Sequence, residues 1–297
     1  MSNKYSWRVS KKQAGMRLLQ FLRENCPEAP SVKAIKRFID GKFCTVNDRT
    51  ETFSSFALSE GDKVTLKMAA LEKQEKIQAV KVPILHEDKE LLIVNKPAGL
   101  VCDDKSLKAC FSKHKVTLVH RLDKETSGVL ILAKSQAAKE KMAALFKERS
   151  VHKLYLAIVD GSLAKGEGTI DNHLGKKHGY QGQTIYGAVD AKKGQRAITH
   201  WKCLNKGRSA SVVCCEPYTG RTHQLRVHLS GMGHPILGDS QYGKTFVCHL
   251  RPQRNLLHAY SIAFKHPTTG KQIKVIAPIP ADFKAALDAL KLSLKSS

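Results

Sequence analysis

The densest run of side chains able to do chemistry is His120-Arg121-Leu122-Asp123-Lys124-Glu125-Thr126-Ser127-Gly128, leading into the apolar stretch VLILAK. A carboxylate between Arg121 and Lys124 has its charged form favoured by neighbouring positive charge. That suits a nucleophile or a base better than an acid. An ordinary loop ion pair fits the same spacing, so the pattern alone leaves Asp123 one candidate among several. Thr126, Ser127 and Gly128 are small, as needed where backbone passes close to a ligand.

A second polar run extends from Tyr218 to Leu229. Thr222 can cap a helix there, with Leu225, Leu229 and Met232 on its buried side and Gly231 or Gly233 ending it. Arg221 would then stand at the positive end of that helix, where it can hold a phosphate or pair with a carboxylate. His223, His228 and His234 raise a metal reading. On a helix, His223 and His228 lie about 140° apart, and no glutamate stands between them as in HExxH. Hydrogen-bonded histidines and no metal are expected. The 8 cysteines contain no CxxC pair, and the closest two are Cys214 and Cys215. That pattern predicts neither a disulfide framework nor a zinc ribbon, and points to a reducing, cytoplasmic compartment.

Short apolar runs supply the elements that must position these residues. Residues 91–94, 129–132, 155–159, 210–214 and 273–276 read as strands, and 136–149 as a helix with Ala138, Met142 and Leu145 on one face. No GxGxxG or GxxxxGK[ST] follows a strand, which counts against nucleotide-cofactor chemistry. The fold class expected is α+β, a mixed and mainly antiparallel sheet flanked by helices. Residues 1–67 read as a separate small α/β module. It has a helix around Leu18, Leu19 and Leu22, and a second helix capped by Ser31 with Val32, Ile35 and Ile39 inward and Gly41 as its stop. Lys33, Lys36 and Arg37 share the outer face of that second helix, and turns follow at Asn47-Asp48 and Gly61-Asp62. Residues 68–81 are charged and read as a linker, leaving 82–297 as the second domain.

The 297 residues carry 50 Lys and Arg against 26 Asp and Glu, a formal charge of +24. Such an excess favours a polyanion, because each neutralised phosphate releases condensed counterions. Nucleic acid is the expected partner. The chain holds no run near the ~20 apolar residues of a membrane span, and MSNKYSWRVSKK lacks the apolar core of a secretion signal. A monomer is the default expectation.

HRLDKETSGVLILAK resembles the signature of the RluA-type RNA pseudouridine synthases, His-Arg-Leu-Asp, two variable residues, then Thr-Ser-Gly. Four further segments match in order: Asn95 to Leu100; Lys153 to Ala157 with Gly161; Thr219 to Leu229 with Gly233 to Asp239; and Leu257 to Ala259 with Phe264 to Pro267. Residues Arg17-Leu18, Ser31 to Arg37, Gly41, Val46-Asn47 and Gly61-Asp62 are similar to the S4-type RNA-binding module. The likeness covers almost the whole chain.

The resemblance implies isomerisation of uridine to pseudouridine within RNA, with no cofactor and no metal. The C1′–N1 bond breaks, a C1′–C5 bond forms, and a proton passes from C5 to N1. This needs an extruded base in a dry pocket beside a carboxylate. By resemblance Asp123 is that carboxylate, Arg221 its basic partner, and Tyr155 the aromatic residue on the base. Leu225 walls the pocket, and Arg121 enters the RNA stack. His120 and Lys96 are structural or phosphate-facing, while Lys33, Lys36 and Arg37 meet RNA from the small module. That module tilts the expectation towards the large-subunit ribosomal branch (RluC- and RluD-like). A tRNA-modifying synthase, a noncatalytic RNA-binding or ribosome-assembly factor, and a metal-dependent nuclease are the alternatives. The sequence departs from the family in the short stretch between Gly99 and His120, and in Cys102-Asp103-Asp104 where relatives often carry His-Pro. Both bear on one pocket wall.

Overall fold

A computed structural model describes residues 4–26, 31–41, 43–67, 81–180, 183–243 and 245–294. The chain forms two compact units, residues 1–78 with 178–185, and residues 79–177 with 186–297. The linker expected at 68–81 lies, but for Lys81, outside the described residues.

In the first unit, β1 (Lys4–Arg8) precedes α1 (Leu18–Asn25) and α2 (Val32–Asp40), followed by β2 (Cys44–Val46), β3 (Arg49–Thr50) and β4 (Lys63–Lys67). The four strands pair in the order β1-β4-β2-β3. Leu18, Phe21 and Leu22 of α1 and Ile35, Phe38 and Ile39 of α2 form one core with Cys44, Val46, Val64 and Leu66. Ser31 caps α2 by accepting the Ala34 N–H at 3.1 Å, and Gly41 closes it. Asn47 and Asp48 both have positive φ, as a tight hairpin turn between twisted strands requires. One expectation changes. Val32 is 39% exposed, because the first residue of a helix precedes the turn whose face meets the core. Lys36 and Arg37 are exposed; the side chain of Lys33 lies outside the described residues.

The second unit runs β5 (Ile84–Glu87), β6 (Leu91–Lys96), α3 (Asp104–Cys110), β7 (Thr117–Leu118), β8 (Ser127–Ala133), α4 (Gln136–Lys147), β9 (His152–Asp160), β10 (Glu167–Tyr180), β11 (Gln183–Ala188), β12 (Gln195–Lys206), β13 (Ala210–Pro217), α5 (Gln224–Gly231), β14 (Leu257–Lys265), β15 (Gln272–Ile276) and α6 (Ala281–Ala289). One sheet takes the order β11-β10-β12-β13-β9-β14-β8-β6-β5, with β15 on β14 and β7 on β8. From β10–β12 to β5–β6 the described pairs are antiparallel, except β14 with β8.

The central strands read as unbroken apolar runs because both their faces are covered. Leu91, Ile93, Val129 and Ile131 pack on one side with Met142 of α4. Leu92, Val94, Leu130 and Leu132 pack on the other with Leu107, Phe111 and Leu122. A larger core joins Leu156, Ile158, Val213 and Leu225 with Phe283 and Leu287 of α6. Gly128 sits where β8 meets the parallel β14. Its φ is +116°, and a Cβ there would lie 2.1 Å from the Ala259 carbonyl oxygen. At Gly128 the small residue therefore admits the neighbouring strand.

Candidate active site in a basic cleft

Asp123 lies on the loop between β7 and β8. Leu122 beside it is buried in the core, and the Thr126 N–H donates to the Asp123 carbonyl at 3.1 Å, closing a turn. The side chain of Lys96 is fully buried. Its Nζ donates to the carbonyls of Pro97, Leu100 and Lys124 at 2.9, 2.9 and 3.1 Å. One ammonium thus staples the 97–100 loop to the loop that carries Asp123. Burial pushes its pKa down to about 8. Arg254 adds a bond to the Glu125 carbonyl at 3.1 Å. Lys96 is therefore committed to the scaffold and does not meet a substrate phosphate. His120 is committed likewise. Its Nε2 accepts the Ile131 N–H at 3.0 Å, and burial drives its pKa to about 3, so it is a neutral acceptor.

The Asp123 carboxylate opens on a cleft of ≈ 770 Å³ lined by 101–102, 119–124, 146–147, 149, 153, 155 and 218–223. Among the described lining residues it is the one acid, sharing the cleft lining with Arg121, Lys124, Lys147, Arg149, Lys153 and Arg221. Tyr155 reaches the cleft from β9, whose neighbours are Cys215 of β13 and Ala259 of β14. Burial, and then the charge of Asp123, raise its phenol pKa. Lys153 precedes it by two, so it shares a strand face with Tyr155. Its ammonium lies 5.9 Å from the centre of the Phe146 ring, and burial lowers its pKa to about 8. Sequence reasoning gave Lys153 no role; the period of two from Tyr155 was the signal for it.

The arginine against Asp123 is Arg226, not Arg221. Arg226 Nη1 donates to Asp123 Oδ2 at 3.3 Å, while its Nε and Nη2 make a two-pronged pair with buried Asp239 at 2.7 and 2.9 Å. Burial opposes its charge, yet Asp239 and Asp123 raise its pKa on balance. The Arg221 guanidinium turns away, with Nη1 to Gln195 Oε1 at 2.8 Å and Nε to the Arg196 carbonyl at 3.1 Å. The reason is where the helix begins. α5 starts at Gln224 with His223 as its N-cap in the left-handed region, φ 56°, and Thr222 does not cap it. Gln224 Oε1 accepts from the Arg221 N–H at 3.0 Å and the Thr219 hydroxyl at 2.7 Å, fixing Arg221 in the preceding turn. Arg226 then sits on the first buried turn. Leu225 is 6% exposed and belongs to the main core, not to the cleft wall. His228 bonds Thr199 and Asn172, and His234 bonds the Asp160 carbonyl. Arg121 is exposed on the cleft. Cys102 also lines the cleft, and Asp103 beside it caps α3 by accepting the Ser106 N–H at 2.7 Å. The residues that depart from the family pattern thus begin a short helix.

Comparison with known proteins identifies the family. The family model described as RNA pseudouridylate synthase matches residues 90–231. An uncharacterised RNA pseudouridine synthase of Synechocystis is 32% identical, over 95% of this chain and 91% of that protein. The chain belongs to the RluA-type family of RNA pseudouridine synthases. The synthase is also 37% identical to a protein of Pseudomonas aeruginosa named ribosomal large subunit pseudouridine synthase D, over 72% of this chain and 73% of that one. Among solved structures, human RNA pseudouridylate synthase domain containing 4 superposes with a TM-score of 0.62 at 30% identity, covering 72% of this chain and 94% of that one. The synthase is therefore an isomerase acting on RNA. Among the described residues no helix is long and apolar enough to cross a membrane.

Proposed function

We propose that this synthase isomerises uridines of large-subunit ribosomal RNA, with Asp123 as the reacting carboxylate. The observation that carries the reading is a lone acid among the six cations that line its cleft, backed by a buried arginine and flanked by a partly buried tyrosine. A base turned out of its stack gains a dry pocket and a ring to pack on, and Tyr155 supplies the ring. The carboxylate then meets the glycosidic carbon or its neighbours while the base turns so that C5 replaces N1. Arg226 supplies its counter-charge and fixes its plane. The Tyr155 hydroxyl, kept protonated by burial, can give and recover a proton as it moves from C5 to N1. Arg121 and Arg221 serve the RNA backbone and stack at the cleft edge.

Arg221 also lines a second cleft, of ≈ 410 Å³, with Lys176, Lys192 and Lys193. This continues the basic path along which phosphates can run. In the first unit, Lys36 and Arg37 on the S4-like helix pair add a further patch for RNA, with Lys33 beside them in sequence. The names of the relatives favour ribosomal over transfer RNA.

Carbodiimide mapping of pseudouridines in total RNA, from cells with and without the protein and with Asp123→Asn, tests this. The reading expects a site in large-subunit ribosomal RNA that is lost both without the protein and with Asp123→Asn. A site confined to transfer RNA would overturn the substrate, and a site retained with Asp123→Asn would overturn the role of the carboxylate.

A further inference from the structure

Asp123 offers its two oxygens to two different partners. Oδ2 meets Arg226, and Oδ1 faces Nε2 of His223 at 3.9 Å. The imidazole stands edge-on between Tyr186 and Tyr242, with ring centres 5.7 and 5.6 Å away. Its Nδ1 lies 2.8 Å from the Tyr242 hydroxyl, and that hydroxyl accepts the Tyr186 backbone N–H at 3.2 Å. A backbone N–H can only donate and takes one lone pair of the oxygen, leaving the hydroxyl proton free for Nδ1, and the carboxylate on the far side of the ring favours that arrangement. The single proton of the neutral ring is then on Nε2, the nitrogen turned to the carboxylate. The opposite tautomer would set a bare lone pair against a negative oxygen. Burial and then the charge of Arg226 lower the His223 pKa, which favours the neutral ring. Tyr242 itself lies under the Arg226 guanidinium, 4.9 Å from ring centre to Cζ. Its N–H donates to Asp239 at 3.1 Å.

We propose that His223 is a positioning residue for the carboxylate, holding Oδ1 through a Nε2–H that Tyr242 fixes while Arg226 holds Oδ2. This rests on the isomerase reading of the cleft. A 3.9 Å separation is longer than a hydrogen bond and closes by a small turn of the carboxylate as the nucleotide enters, as catalytic contacts commonly tighten. The left-handed backbone at His223 is uncommon for a non-glycine residue and aims the ring at Asp123.

Two measurements test this separately from the isomerase reading. Nitrogen NMR of the RNA-free protein should show His223 protonated at Nε2 and accepting at Nδ1; protonation at Nδ1 instead would overturn the proposal whether or not the protein turns over. In single-turnover tritium release from C5-labelled uridine RNA, His223→Gly suits the left-handed backbone and leaves a ring-sized gap. It should lower kcat about tenfold with KM unchanged, the scale of a lost hydrogen bond to a charged group, and added imidazole should restore much of the rate. Tyr242→Phe keeps the ring under Arg226 and should slow kcat several-fold, also at constant KM; it decides the matter if the glycine variant does not fold. Wild-type kcat in either variant would overturn the proposal. Absence of tritium release by the unaltered protein would instead count against the isomerase reading.

Discussion

At the residue scale, the two arginines of the Gly-Arg-Thr-His-Gln-Leu-Arg run divide the labour that the sequence assigned to Arg221 alone. Arg226 touches Asp123 and Asp239, so its removal strands a buried carboxylate, a loss of about 3–5 kcal/mol. Arg226→Lys keeps the charge but cannot reproduce the two-pronged pair. Its single-turnover rate is expected to drop at least tenfold, with RNA affinity little changed. Arg221→Gln should do the reverse, weakening RNA binding while the rate at saturating RNA holds. Rate and affinity measured on both variants check the division.

Lys153 carries a pH prediction. Its pKa of about 8 means that it is charged below that pH and neutral above. RNA affinity should therefore fall between pH 7 and pH 9, and a bound phosphate, by favouring the charge, moves the midpoint upward. Lys153→Arg, charged throughout, should flatten the profile. Lys96 titrates in a similar range but is fully buried against three carbonyls, and Lys153→Arg separates the contribution of Lys153 from its own.

At the scale of elements, the helix and the central strands were legible because their signals are local. Ser31 and Ser135 cap their helices, and the doubly covered strands β6 and β8 are continuous apolar runs. β10 and β12 were not legible. Their polar residues alternate with few apolar ones, and such strands are specified by pairing with each other. The start of α5 was missed by one residue, because His223 enters the left-handed region without a capping side chain. The assignment of the carboxylate's partner to Arg221 came from family resemblance, and the geometry gives that contact to Arg226.

Gly128 shows how one strand contact decides a motif residue. With φ at +116° and the Ala259 backbone against it, Gly128→Ala must part β8 from β14. A loss of about 3 kcal/mol is expected, or about 5 °C in Tm for a protein of this size. Calorimetry checks this. A variant of native stability that fails to bind RNA would return the glycine to the ligand.

At the scale of the whole molecule, the +24 charge makes binding salt-dependent. Each phosphate contact adds about 0.7–0.9 to the slope of log affinity against log salt. Replacing Lys36 and Arg37 together by Gln should reduce that slope by about 1.5, leaving the rate at saturating RNA unaltered. An unchanged slope in a filter-binding titration would remove this helix face from the RNA contact.

The sequence by itself determined the family, the basic charge excess, the place of the proposed reacting carboxylate and the apolar runs of the central sheet. These depend on residue type and short spacing. Tertiary structure alone decided which arginine meets Asp123, which cations are spent inside the scaffold, and which aromatic hydroxyl orients His223. Those contacts join residues as far apart as 129 positions, and their geometry is set by how β9, β14 and α5 pack, which no local pattern encodes.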